Sequence, residues 1–146
     1  MNSELLNWAF DAILAAAAFM IIRWAWNKIR RKRVWIIDDS PTDILLYKMN
    51  FDFHGCDVTY FNTAKNLDLK MCVLNMPDAV IVDFKLRDNI DGDRVVKVCE
   101  RNGIPAILIT AYDGDIATVN TDLIYRKSTS RVFYRSIESW VKRVTA

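Results

Sequence analysis

Two five-residue stretches, AVIVD from Ala79 to Asp83 and AILIT from Ala106 to Thr110, constrain the fold most strongly. Each is a continuous run of aliphatic, largely β-branched residues that ends in a polar side chain. Such runs are typical of strands covered on both faces, because a strand with one face in water alternates apolar and polar residues. Both faces of the predicted sheet must therefore pack against other elements.

Similar strand signals recur along the chain and alternate with helical patterns. We predict strands over residues 34–38, 58–61, 79–83, 106–110 and 123–126. Strands that alternate with helices in this way are typical of βαβ units. The sequence therefore predicts an α/β fold with a five-stranded, doubly wound parallel sheet.

The first helix after the opening strand has a clear start signal. Ser40 is a suitable N-cap and Pro41 a suitable first helical residue. Leu45, Met49 and Phe53 follow at a spacing of four residues. These three side chains are therefore predicted to lie on one face of the helix, because residues four apart share a face.

Polar side chains stand where the predicted strands end. The first strand ends in Asp38 and Asp39, the third in Asp83, the fourth in Thr110, and the fifth is followed by Lys127. The carboxyl ends of parallel strands meet at one edge of the sheet, and open α/β sheets bind ligands there. We therefore expect three carboxylates, one hydroxyl and one ammonium to converge on a single site.

The chemistry of this set indicates phosphoryl transfer. Carboxylates suit a hard cation such as Mg²⁺, and a metal would relieve the repulsion between two adjacent acids. A hydroxyl and an ammonium suit the oxygens of a phosphoryl group. An aspartate can itself act as the nucleophile, so that positioning and charge neutralisation suffice for the reaction.

The order of these residues resembles that of the receiver domain of bacterial two-component response regulators. The matching segments are IIDDS, AVIVDF, LRDNIDG, ILITAY and YRKS, and the resemblance covers residues 34–144, about three quarters of the chain. It implies a flavodoxin-like receiver fold that accepts a phosphoryl group from a histidine kinase or a phosphotransfer protein. It implies a self-phosphorylating acceptor domain with no separate substrate turnover, and hence no enzyme in the usual sense.

The resemblance also assigns roles to individual residues. It implies that Asp83 is the phosphoacceptor and that Asp39 is a direct ligand of Mg²⁺. Asp38 would bind the metal through water, Asp83 would ligate it directly, and the backbone carbonyl of Lys85 would complete the protein's share of the shell. Thr110 would be the switch hydroxyl and Lys127 the cation that bridges to the phosphoryl group.

Three departures from the family pattern lead to an alternative interpretation. Ser128 follows Lys127 where receivers usually carry proline, and Ile124 stands where they typically carry Tyr or Phe. Tyr125 is one place away, which puts it on the opposite face of a strand. Only sixteen residues separate Thr110 from Lys127, so the usual fourth helix barely fits. The alternative is a pseudo-receiver scaffold that binds a membrane or kinase partner without phosphoryl turnover.

The composition changes near Arg33, and we predict two domains, residues 1–33 and 34–146. Residues 1–33 carry six Lys or Arg against two acids, whereas residues 34–146 carry fourteen against sixteen. The main domain therefore has no basic excess of the kind that nucleic-acid binding requires. The positive charge is concentrated in KIRRKR, residues 28–33.

Residues 5–22 form an apolar segment interrupted by Asn7 and Asp11. As a helix it would be about 27 Å long, close to the lower limit for a membrane span. With KIRRKR on its carboxyl side, a span would place the receiver domain at the cytoplasmic face of a bacterial inner membrane. Asp11 would then face a helical membrane partner or a second copy through residues 5–26. A soluble oligomerising helix and a membrane-surface helix are the alternatives.

Overall fold

A computed structural model of the chain describes residues 3–29, 31–67, 70, 74, 76–87, 91–111 and 124–146. By its contacts the chain divides into two units, Met1–Arg31 and Lys32–Ala146. The described residues contain four helices and five strands. The helices are α1 (Ser3–Ile29), α2 (Pro41–Asn50), α3 (Gly92–Arg101) and α4 (Arg131–Val144); the strands are β1 (Lys32–Ile37), β2 (Cys56–Phe61), β3 (Ala79–Asp83), β4 (Ala106–Thr110) and β5 (Ile124–Arg126).

The five strands form one parallel sheet in the order β2-β1-β3-β4-β5. The predicted doubly wound sheet is confirmed, and β3 and β4 have the predicted bounds. Both of these strands are buried along their whole length. The strand order reverses at β1, and the carboxyl ends of β1 and β3 therefore lie side by side at the switch point.

Each face of the sheet carries its own apolar core. Alternate strand residues such as Trp35, Val80 and Leu108 pack with α3, whereas Ile36, Ile81 and their neighbours pack with α2 and α4. The second core is rich in aromatic rings, since Phe133, Tyr134 and Trp140 of α4 and Tyr47 of α2 all belong to it. This two-sided packing is what the continuous apolar runs predicted.

Helix α2 begins as the sequence predicts but presents a different face to the sheet. Ser40 Oγ accepts a hydrogen bond from Asp43 N at 3.3 Å, and Pro41 is the first helical residue. The predicted face is shorter than expected, because the helix ends before Phe53, and its Leu45 and Met49 are 57% and 72% exposed. Tyr47 is buried in their place.

Helix α1 spans 27 residues, and its apolar residues are distributed around the helix rather than along one face. Its large described apolar side chains are exposed, including Trp8 (72%) and Phe19 (65%). No helix in the part of the chain that the structure describes is long and apolar enough to cross a membrane. Within the predicted span over residues 5–22, the side chains of five residues lie outside the described set, and Asn7 and Asp11 are among them.

Candidate functional site

The ends of β1 and β3 bring three carboxylates together. One oxygen from each of Asp38, Asp39 and Asp83 lies within 4.8 Å of the others. Asp38 is fully buried, and Asp83 is 7% exposed. The structure thus juxtaposes the three acids that the sequence predicts as metal ligands.

Lys127 lies at the centre of this acidic cluster. Its Nζ donates hydrogen bonds to Asp38 Oδ2 at 2.8 Å and to Asp43 Oδ2 at 2.7 Å, and it lies 2.9 Å from Asp83 Oδ1. Burial lowers the pKa of an ammonium, but the hydrogen bonds to these three carboxylates outweigh it and raise the pKa of Lys127. The lysine is therefore a permanent cation in the site.

Asp83 is the last residue of β3 and is held by neighbours on two sides. Its Oδ2 accepts a hydrogen bond from Lys85 N at 3.1 Å, and its Oδ1 faces Lys127. Burial raises the pKa of Asp83, whereas the hydrogen bond and the charge of Lys127 oppose that shift. The carboxylate is thus partly desolvated yet has a cation beside it, which suits a nucleophile.

Asp38 has no exposed surface and is satisfied by hydrogen bonds instead of water. Ser40 N donates to its Oδ1 at 2.9 Å, and its Oδ2 accepts from both Tyr47 Oη at 2.9 Å and Lys127 Nζ. Burial, followed by the charge of Asp38, raises the pKa of Tyr47, which therefore stays a protonated donor. This bonding explains how a carboxylate can be fully buried at low energetic cost.

Sequence reasoning missed Asp43 and Tyr47. Both lie on α2, four residues apart, and so share one face of that helix. This face points at the acidic cluster, since Asp43 reaches Lys127 and Tyr47 reaches Asp38. The i, i+4 spacing of two polar residues just after the acidic pair was the signal that could have identified them.

Thr110 and Lys85 lie where the sequence predicts. Thr110 is the last residue of β4, is 2% exposed, and accepts a hydrogen bond from Lys127 N through its backbone oxygen at 2.7 Å. Lys85 follows Asp83 by two residues and forms a single antiparallel bridge with Asp91. Thr110 and Lys127 are thus joined by a backbone hydrogen bond, and the backbone N–H of Lys85 contacts the carboxylate of Asp83.

The loop after Asp83 returns close to the site at Gly92. Gly92 N donates to Phe84 O at 2.7 Å, and a Cβ added at Gly92 would lie 2.2 Å from Asp83 O and 2.7 Å from Leu108 Cδ2. No side chain fits there, so α3 begins against the backbone of the phosphoacceptor candidate. This contact is a packing requirement for glycine that the sequence pattern alone did not identify.

The charge of the cluster fits a divalent cation. Four carboxylates (Asp38, Asp39, Asp43 and Asp83) face two cations, Lys127 and Arg87, whose Nε lies 2.9 Å from Asp39 Oδ2. The imbalance is therefore two negative charges, which one Mg²⁺ would neutralise. Oxygen donors alone are also what Mg²⁺ prefers.

Two of the departures noted in the sequence can be located. Ile124 packs with the core on the α3 face and Tyr125 with the core on the α4 face, so they lie on opposite sides of β5 as predicted. The peptide after Lys127 is not cis, nor is any other peptide in the described ranges. The shortened connection between Thr110 and Lys127 lies largely outside the described residues, which resume at Ile124.

Comparison with known proteins identifies the fold. No protein-family model and no curated protein matches the chain. Solved receiver domains do match. The signal receiver domain of a protein described as a Luxo repressor from Vibrio parahaemolyticus has a TM-score of 0.63 and 22% identity, and the match covers 79% of this chain and 93% of that one.

Two further neighbours are of the same kind. A CheY-like response regulator receiver domain protein from Methanospirillum hungatei has a TM-score of 0.60 and 20% identity, with 79% and 97% of the two chains covered. The isolated receiver domain of RcsB from Salmonella enterica serovar Typhimurium, in the presence of phosphomimetic BeF3⁻, has a TM-score of 0.62 and 18% identity, with 77% and 90% covered. The chain therefore has the receiver-domain fold of two-component response regulators, as the resemblance implied.

Proposed function

We propose that this chain accepts a phosphoryl group on Asp83 from a phosphohistidine of a kinase or phosphotransfer protein. The observation that carries the proposal is the cluster of Asp38, Asp39 and Asp83 within 4.8 Å, with Lys127 Nζ 2.9 Å from Asp83. The adjacent pair Asp38 and Asp39 follows β1, Asp83 ends β3, and Lys127 follows β5. A signalling role in a two-component system follows from this chemistry.

The transfer is an in-line displacement at phosphorus. An oxygen of Asp83 attacks, the new O–P bond forms, and the P–N bond to the donor histidine breaks, so that the imidazole nitrogen leaves with the electron pair. Lys127 then donates a hydrogen bond to one phosphoryl oxygen, and the Thr110 hydroxyl donates a hydrogen bond to another. Positioning and charge supply most of the catalysis in this class of reaction.

In this proposal Asp39 and Asp83 would ligate Mg²⁺ directly, Asp38 would bind it through water, and the carbonyl of Lys85 would complete the protein's share. When bound, the ion neutralises negative charge on the phosphoryl oxygens. The net excess of two negative charges in the cluster supports a divalent ion over a monovalent one.

The test is phosphorylation of the full chain by acetyl phosphate with and without Mg²⁺, followed by intact mass. We expect one added phosphate that requires Mg²⁺ and is lost completely in Asp83→Asn. Asp78→Asn is a matched control, because Asp78 precedes the same strand at its opposite end and accepts from Arg33 N. Unchanged labelling of Asp83→Asn would end the assignment.

The second candidate is a scaffold that binds a partner without phosphoryl turnover. The contacts of Lys127 Nζ favour it, because the ammonium already donates to Asp38 and Asp43 and forms an ion pair with Asp83. Titration with beryllofluoride and Mg²⁺ distinguishes the two. Backbone amide shifts that extend from Asp83 to Thr110 and Lys127 support the receiver; shifts that never reach them support the scaffold.

In the proposed function, residues 5–22 attach the receiver domain to the cytoplasmic face of a bacterial inner membrane, with a helical partner or a second copy bound through residues 5–26. The exposure of apolar side chains all along the described part of α1 supports an apolar environment or partner. Full-length protein should stay in the membrane pellet after a carbonate wash, whereas protein beginning at Lys32 should be released. Full-length protein that is soluble without detergent would leave only the oligomerising helix.

A further inference from the structure

Lys127 has more anionic partners than the proposed chemistry requires. An ammonium has three N–H donors, and here Nζ donates to Asp38 and Asp43 and lies 2.9 Å from Asp83 Oδ1. The side chain is only 16% exposed, so these carboxylates are its principal partners. Asp83 is the proposed phosphoacceptor and Asp38 belongs to the acidic pair, but the proposed reaction gives Asp43 no role.

The carboxylate of Asp43 is not used by its own helix. Asp43 is the third residue of α2 and follows the Ser40 N-cap. An acidic residue at this position commonly accepts the N-cap backbone N–H in a capping box. That donor is taken here by Asp38 Oδ1, at 2.9 Å. The Ser40 hydroxyl accepts a hydrogen bond from the backbone N–H of Asp43. The carboxylate of Asp43 accepts one from Lys127 instead.

The proposed reaction changes one of the three partners of Lys127. When an oxygen of Asp83 bonds to phosphorus, that carboxylate loses its charge, and the N–H that faced it must turn to a phosphoryl oxygen. The ammonium sits on a flexible stem with four rotatable bonds. Asp38 holds it from the end of β1, but its Oδ2 is shared with Tyr47. Asp43 holds it independently, from the first turn of α2.

The geometry points to Asp43 as a positioning residue, which holds Lys127 Nζ beside Asp83 so that the ammonium meets the incoming phosphoryl group. This inference rests on the proposed phosphoryl transfer to Asp83. Asp43 contacts neither the phosphoryl group nor the metal in this assignment and acts only through Lys127. An acceptor oxygen at this place is what the role requires, whereas the negative charge is secondary.

The experiment compares Asp43→Asn with Asp43→Ala in the full chain. The amide oxygen of Asn can still accept from Lys127, whereas Ala removes the acceptor. The measured quantity is the rate of Mg²⁺-dependent phosphorylation by acetyl phosphate. Because a misplacement of about 1 Å can cost on the order of 10²-fold in rate, we expect Ala to lose roughly tenfold or more and Asn to stay within about threefold of wild type. Asp52→Ala, which removes an exposed carboxylate paired with His54, should leave the rate unchanged.

A second measurement reports on position directly. In the ¹⁹F spectrum of the beryllofluoride complex with Mg²⁺, Asp43→Ala should shift or broaden the fluorine resonance that faces Lys127, and Asp43→Asn should restore it. A side chain that only stabilises the fold would not move this resonance in a folded variant. If Asp43→Ala does not fold, Asp43→Ser, which is polar but too short to reach Nζ, replaces it.

The outcomes separate the two proposals. Wild-type labelling with an equal rate in Asp43→Ala overturns the positioning role and leaves the proposed function intact. Equal losses in Asn and Ala also overturn it, because the charge and not the acceptor would then matter. A wild-type chain that neither takes phosphate nor binds beryllofluoride overturns both.

Discussion

The acidic cluster in Lys32–Ala146 and helix α1 depart from ordinary protein surfaces in opposite ways. In the cluster, charged groups are buried, and Lys127 forms short ion pairs with both Asp38 and Asp83. In α1, large apolar groups such as Phe19 are exposed. Buried charge is costly unless it is paired, and exposed apolar surface is costly unless it is covered. The cluster contains much of its own compensation, whereas the described residues of α1 do not cover one another's apolar side chains.

This contrast separates what each region depends on. The stability of the cluster depends on the pairing of its side chains, and we expect it to respond to single substitutions and to divalent cations. The exposed apolar surface of α1 depends on what surrounds it, so substitutions there should change association and leave the sheet unaffected. Four substitutions test the contrast.

The largest effect is expected for Lys127→Met. Removing the cation leaves buried carboxylates facing one another, and breaking a buried pair in this way typically costs about 3–5 kcal/mol. Urea unfolding in EDTA measures the loss, and Mg²⁺ should restore part of it. Lys97→Met, which breaks an exposed pair with Asp93, should cost no more than about 1 kcal/mol. Similar losses for the two variants would contradict the central place of Lys127.

Tyr47→Phe tests whether the buried charge of Asp38 depends on its neutral donor. The variant keeps the ring and removes the 2.9 Å hydrogen bond to Asp38 Oδ2. A hydrogen bond to a charged group contributes about 1.5–3 kcal/mol, and we expect a loss in that range by urea unfolding. Tyr60→Phe on β2 is the matched control. An unchanged free energy of unfolding in Tyr47→Phe would show that Lys127 and Ser40 suffice for Asp38.

Gly92→Ala tests the packing beside the cluster. The added methyl group would lie 2.2 Å from Asp83 O, so α3 must shift away from the sheet. Overpacking of this kind typically costs about 1–3 kcal/mol. Thermal unfolding measures it, with Arg94→Ala on the exposed side of α3 as the control. A variant as stable as wild type would mean that the start of α3 moves freely.

The smallest effect is expected for Phe19→Gln in α1. Exposed substitutions usually change the free energy of unfolding by less than about 0.5 kcal/mol, and we expect the unfolding of residues 32–146 to stay within that range. Association with vesicles or with a second copy should weaken. A clear loss of stability in the sheet would show instead that α1 packs against the rest of the chain.

The sequence predicts the sheet well for a physical reason. Strands β3 and β4 are buried on both faces, so every side chain in them up to the last residue must be apolar, and their bounds can be read directly. The same logic located Asp83 and Thr110, because a polar residue that ends a buried strand lies at the sheet edge. Parallel pairing then brought Asp38, Asp39 and Asp83 together.

Helix α2 shows where this reasoning fails. Apolar spacing placed Leu45 and Met49 on one face of the helix, yet this face is exposed and does not pack on the sheet. The face turned inward carries Asp43 and Tyr47, since hydrogen bonding to buried charge competes with apolar burial near the cluster. Arg87 lies in a loop, and no periodicity in the sequence indicated its pairing with Asp39.

The contact at Gly92 has a consequence for how the chain can vary. The hydrogen bond from Gly92 N to Phe84 O and the bridge between Lys85 and Asp91 tie the two ends of the intervening loop together. The backbone that directly follows Asp83 is thereby held by contacts from Asp91 and Gly92. Because doubling the length of a connection adds only about 0.6 kcal/mol of closure entropy, we expect a peptide tag inserted between Arg87 and Asp91 to leave Asp83 in place.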